Sequence, residues 1–106
     1  MKIVNEALLD EFRRKEKCEQ CGRRKRTGME PSHIFARGRS SAFRMDVRIN
    51  LLAQCRDCHQ AYHDGNTPRR YLLEIVAKRE GRDVDEMELE LKRLRWATDD
   101  DYPLSR

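Results

Sequence analysis

Residues 18–63 read CEQCGRRKRTGMEPSHIFARGRSSAFRMDVRINLLAQCRDCHQAYH. Two Cys-x-x-Cys pairs, Cys18/Cys21 and Cys55/Cys58, bracket a histidine, His33, and an asparagine, Asn50. His59 and His63 close the stretch. A Cys-x-x-Cys pair places two sulfurs on one side of a tetrahedral zinc ion, and two such pairs complete its shell. A shell of four thiolates leaves no position open to substrate, so this set predicts a structural metal rather than a catalytic one. His59 and His63 lie four residues apart and share one face of a helix, which is ligand spacing for a second metal. Cys58, one residue earlier, stands about 100° around that helix and points toward the first. A rival quartet of Cys18, Cys21, His59 and His63 needs a central gap of about 12–15 residues. The gap here is far longer, and that quartet would leave Cys55 and Cys58 idle.

The rest of the chain reads as scaffold for this segment. At 106 residues the expectation is a single domain over 1–106, with its core about 18–65 and helices about 67–97. Hydrophobic residues make up 38% and charged residues 40%, so the apolar core is lean and needs a staple. The first ten residues hold no long apolar run, and no stretch approaches the ~18 apolar residues of a membrane span. We therefore expect a reducing, cytoplasmic setting and no membrane partner. Four cysteines there read as a zinc site rather than as disulfides in any of three pairings.

Local signals place the elements. Asn5 can cap a helix over Asn5 to Lys17, with Leu8, Leu9 and Phe12 on one face. Gly28 and Pro31 mark a loop, and Ser32 to Ala36 a short strand. A second extended piece is expected near Phe43 to Arg48, then a tight connection over Arg48 to Leu52. Arg56 to His63 is expected to be helical and to stop at Gly65. Thr67 and Pro68 start a helix that ends at Gly81. Asp83 caps a last helix through Asp83-x-x-Glu86. Its stripe of Val84, Met87, Leu91 and Leu94 predicts either core or a surface for a protein partner or second copy.

Charge is unevenly placed. Between Gly22 and Arg48 eight basic residues (Arg23, Arg24, Lys25, Arg26, Arg37, Arg39, Arg44, Arg48) face two acidic ones, a local net of +6. A basic patch beside a metal site predicts a polyanionic partner, with contacts to phosphate rather than bases. Arg69 and Arg70 sit in the first turn of a helix, where the dipole disfavours positive charge, and that placement suits a phosphate contact.

Together these residues resemble the HNH endonucleases, the ββα-metal fold with paired zinc knuckles found in small phage-type proteins. The resemblance rests on Cys18-x-x-Cys21, His33-Ile34, Asn50-Leu51 and Cys55-x-x-Cys58-His59-x-x-x-His63, and spans about residues 18–65. It implies an α+β fold: a zinc-stabilised ββα core flanked by an N-terminal helix and two C-terminal helices. It also implies a DNA endonuclease that leaves a 5′-phosphate and a 3′-hydroxyl. His33 would be the general base, Asn50 would orient it or tie its loop, and His59 and His63 would hold a catalytic divalent ion. Ser32 departs from the pattern, since Asp or His usually ligates the ion at that position and a serine hydroxyl is a weak ligand. Asp46 or Glu30 could stand in, or Ser32 could bind through water. Two imidazoles without a carboxylate suit Mn²⁺, Ni²⁺ or Zn²⁺ better than Mg²⁺. The alternatives are a catalytically silent nucleic-acid-binding module on the same fold and a zinc-stabilised protein-interaction module.

Overall fold

A computed structural model of the protein describes residues 2–35 and 44–96. The described residues form a small mixed α/β arrangement of four α-helices and two small sheets. In chain order these are β1 (Lys2–Ile3), α1 (Glu6–Arg13), β2 (Glu30–His33), β3 (Arg44–Met45), a 3-10 turn (Arg48–Asn50), β4 (Leu51–Gln54), α2 (Arg56–His63), α3 (Arg69–Glu80) and α4 (Val84–Trp96). One sheet pairs β2 with β4 antiparallel, His33 opposite Leu51 and Ser32 opposite Leu52. The other pairs β1 with β3 in parallel, Lys2 opposite Arg44.

β4 is the centre of the packing. All four of its residues are buried, and its two faces belong to different apolar clusters. Leu51 and Ala53 join Leu9, Phe12, Cys18, Met29 and Cys55 on one side. Leu52 joins Ile34, Phe35, Met45 and Ile49 with the inner faces of α3 and α4 on the other. A strand buried on both faces shows no polar–apolar alternation, which is why Leu51–Gln54 reads as a mere connection in the sequence.

The edge of β4 facing the first knuckle is closed from outside the sheet. The Ala53 carbonyl accepts from the Glu19 amide at 2.9 Å, and the Ala53 amide donates to the Glu19 carboxylate at 2.8 Å. Arg79 of α3 donates to that carboxylate at 3.0 Å and to the Leu51 carbonyl at 2.9 Å. First knuckle, central strand and third helix are thereby joined by two charged side chains.

The helices follow their caps. The Asn5 side chain accepts from the Leu8 amide at 3.0 Å, but α1 stops at Arg13, four residues before the expected Lys17. The chain must turn there because the Arg13 carbonyl is used by Met29 (3.0 Å). α3 starts at Arg69 with Pro68 as its cap, one residue later than expected, and ends at Gly81 in the left-handed conformation. Asp83 caps α4 through the Glu86 amide at 3.0 Å. Met87, Leu91 and Leu94 of its stripe are buried against α3 and the turn, and Val84 packs beside them. That stripe is core. Of the expected strand over Ser32 to Ala36, Ser32 and His33 belong to β2, which starts earlier, at Glu30, and Ala36 lies outside the described residues. The extended piece expected near Phe43 to Arg48 is β3, Arg44–Met45, which pairs with β1; Phe43 lies outside the described residues. No helix among the described residues is long and apolar enough to cross a membrane.

Candidate functional site

Four thiols meet where the first knuckle docks against the start of α2. The sulfurs of Cys18, Cys21, Cys55 and Cys58 all lie within 4.8 Å of one another, and Cys21 Sγ stands 3.8 Å from Cys55 Sγ. Sulfurs about 2.3 Å from a zinc ion in a tetrahedron are about 3.8 Å apart. The thiols are free rather than bridged, and their number, type and spacing fit a metal such as zinc. Burial pushes the Cys18 thiol up, but hydrogen bonds from the Cys21, Cys55 and Gln20 backbone outweigh it and bring the thiol down to about 7. Burial pushes the Cys58 thiol up, and the neighbouring sulfurs push it further. Four crowded sulfurs resist sharing four negative charges, and a dication reverses that cost.

A second site lies on the other side of α2. A cavity of about 740 Å³ is lined by Ser32 and His33 of β2, His59, Tyr62 and His63 of α2, and Glu30. Arg13, Arg69 and Arg95 form part of its rim. α2 therefore divides its residues as its spacing predicts: Cys58 to the thiols, His59 and His63 to the cavity. The quartet that mixes Cys18 and Cys21 with His59 and His63 does not form.

Within the cavity His33 is held by a carboxylate. Its Nε2 lies 2.7 Å from Asp46 Oδ1, and the Asp46 side chain is fully buried. Arg44 Nε donates to both Asp46 oxygens, at 3.0 and 2.9 Å, and the Asn5 amide donates to Oδ2 at 2.9 Å. Burial alone would raise the Asp46 carboxyl, but the Arg44 guanidinium, the Asn5 amide and His33 hold it below the usual range. Asp46 is thus ionised, and an anion beside Nε2 favours the tautomer with its proton on Nε2. The proton-accepting nitrogen of that tautomer is Nδ1.

Asn50 does not touch His33 among the hydrogen bonds of its side chain. It is fully buried, accepts from the Phe35 amide at 2.8 Å, and donates to the Phe35 and Met45 carbonyls at 3.2 and 3.0 Å. It ties the chain just after β2 to the end of β3. Tyr62 adds a second tie, its hydroxyl donating to the Ile34 carbonyl at 2.5 Å.

Of the α2 histidines, His59 has a carboxylate neighbour, Glu30, whose Oε1 lies 2.7 Å from its Nδ1. The His59 and His63 rings are 5.9 Å apart, centre to centre. Imidazole, imidazole and carboxylate make a donor set suited to a transition metal. Among the described residues, however, only the four cysteines bring three or more such donor atoms together. Ser32 is buried, at 1% exposure. Asp46, a candidate substitute for it, is committed to Arg44, Asn5 and His33, which leaves Glu30 as the carboxylate at this cavity.

The basic residues divide three ways. Arg24, Lys25 and Arg26 are exposed on the loop after the first knuckle, and Arg23 beside them pairs with Asp57 at 2.7 Å. Arg44 is bound to Asp46 and Glu6, and Arg48 to Glu11 and Glu80. Arg37 and Arg39 lie outside the described residues. Sequence reasoning named Asp46 only as a stand-in ligand, and the role it has here, thirteen residues from His33, has no local signal. It gave neither Arg13 nor Arg95 a part in the site, because helices bring them to the cavity from outside residues 18–63.

Compared with models of known protein families, with curated proteins and with solved structures, the chain matches none.

Proposed function

We propose that this protein is a metal-dependent DNA endonuclease of the HNH type, stabilised by a zinc ion on Cys18, Cys21, Cys55 and Cys58. The observation that carries the reading is the His33–Asp46 pair, a histidine with a fixed carboxylate partner in a cavity shared with His59, His63 and three arginines. The antiparallel β2–β4 pair followed by α2, with one cysteine pair before it and one at its end, supports the same reading.

His33 Nδ1 takes the proton from the attacking water. Asp46 fixes the ring's orientation and stabilises the imidazolium that forms, as a carboxylate does in other histidine-base sites. Asn50 holds the chain that leaves His33 and enters β4. His59, His63 and Glu30 would hold the divalent ion, which when bound supplies polarisation of the scissile phosphate and stabilisation of the leaving oxygen. The arginines at the rim meet the phosphates on either side without reading sequence.

A second reading, a catalytically silent nucleic-acid-binding module, draws on two observations. Ser32, which stands where the resemblance expects a ligating residue, is buried, and the histidine cavity does not gather three donor atoms. One experiment separates the two. Supercoiled plasmid is incubated with zinc-loaded protein and added Mn²⁺, Ni²⁺ or Mg²⁺, beside His33→Ala. Nicking that needs the added ion and disappears in the variant is the expected result. Cleavage that survives His33→Ala removes that residue from its role, and binding without cleavage under every ion selects the silent module.

A further inference from the structure

Two cations reach the histidine cavity from helices that lie outside the hairpin–helix segment. Arg69 opens α3 and Arg95 lies in the last turn of α4, and both line the cavity with His33, His59 and His63. Both guanidiniums also lie over one ring, Phe35, at 4.4 and 5.9 Å from its centre. Phe35 is itself immobilised, because Asn50 binds both its amide and its carbonyl. A guanidinium resting on an aromatic face keeps its N–H edge directed outward and loses less freedom when it binds an anion.

The neighbourhood makes the placement of Arg69 informative. α4 is acidic, and two arginines away from the cavity pair with its carboxylates: Arg70 binds Asp85 and Glu88, and Arg82 binds Glu90. Arg69, one residue before Arg70, has no carboxylate within ion-pair distance among the described residues. It carries its charge to the cavity instead.

We propose that Arg69 and Arg95, set on Phe35, form a phosphate-binding wall through which the two C-terminal helices hold duplex DNA against the histidine cavity. The wall rests on reading that cavity as a DNA site, but it requires binding only and not cleavage. It makes α3 and α4 part of the substrate surface as well as part of the core. Each arginine neutralises one phosphate, a sequence-independent contact that fixes the position of the strand.

The test is the salt dependence of binding. A fluorescent 20-bp DNA duplex is titrated with zinc-loaded protein, without added divalent ion, at several salt concentrations between 50 and 200 mM. Each lost phosphate contact lowers the magnitude of the negative slope of log K against log[salt] by about 0.9. We expect Arg69→Gln to lower it by about 0.9 and the Arg69→Gln/Arg95→Gln double variant by about 1.8. Arg70→Gln, an equal loss of charge one residue away, should leave the slope at the parent value. Thermal unfolding and zinc content of the Arg69 and Arg95 variants should match the parent, since both arginines are exposed. Slopes unchanged in the double variant, slopes lowered equally by Arg70→Gln, or no DNA binding by the parent would each overturn the wall. Lowered slopes in a parent that never cleaves would uphold the wall and defeat the nuclease reading. Cleavage with unchanged slopes would do the reverse.

Discussion

Asp46 keeps a negative charge where the chain excludes water, and its stability effect has a definite sign. Its carboxyl is lowered in the folded protein, because Arg44, Asn5 and His33 outweigh the burial that would raise it. The stability it contributes is therefore complete above the unfolded value of about 4 and is lost as pH falls through the lower native value. Asp46→Asn should cost on the order of 3 kcal/mol at pH 7, since it leaves Arg44 without its buried partner. Denaturant unfolding followed by circular dichroism should show that the gap between parent and variant narrows as pH falls below about 4. A gap that widens there would mean the carboxylate is not stabilising. In the plasmid assay the same variant should lose most nicking while still binding DNA. Gly28 is a second position where one atom matters. Its φ is +89° and an added Cβ would meet the Arg13 carbonyl oxygen at 2.0 Å. Gly65 has φ +80° but nothing within 4 Å. Gly65→Ala should cost about 1 kcal/mol, the left-handed penalty alone. Gly28→Ala should cost more, as the turn between α1 and β2 must open, and thermal melts of the two variants check the order.

Elements in this fold are held at their ends by polar side chains acting over long separations. Asn50 joins the residues just after β2 to the end of β3 and the start of β4 with three hydrogen bonds. Asn50→Ala strands a buried amide and carbonyls, at about 1–3 kcal/mol for each group left unsatisfied. Asn50→Asp should recover part of the loss, because its carboxylate can still accept from the Phe35 amide. Urea midpoints of the two variants measure this. The same contrast explains what was legible beforehand. α2, the Gly81 stop and the Asp83 cap follow from local spacing and cap chemistry, so they could be read directly. The cysteine quartet could be read because a metal demands that residue set whatever the fold. β4 could not, because a strand buried on both sides looks like any short apolar run. The β1–β3 pair could not either, since two residues meeting two others forty positions later leave no pattern. The roles of Arg44, Asp46 and Arg79 depend on such meetings and were invisible for the same reason.

Across the whole molecule, β4 is a wall shared by two cores, so neither half is complete alone. A fragment ending at residue 65 would expose Ile34, Phe35, Met45 and Leu52, which are buried against α3 and α4. We expect residues 2–65 to bind zinc but to show no cooperative thermal transition. A sharp transition in that fragment would show that the hairpin–helix segment stands by itself. Removing a metal held by the four thiols, or Cys55→Ser, should unfold the Leu51/Ala53 side first, since Cys18 and Cys55 are part of that cluster. Metal content by mass spectrometry and hydrogen exchange at β4 report it together. Near residue 2, Lys2 and Ile3 lie beside Arg44 and Met45, the Ile3 carbonyl accepts from the Asp46 amide, and the Asn5 amide grips its carboxylate. An affinity handle fused directly ahead of Lys2 would hang from the strand that aims the partner of His33. Weak nicking in the plasmid assay by a preparation tagged at that position would then report on the tag.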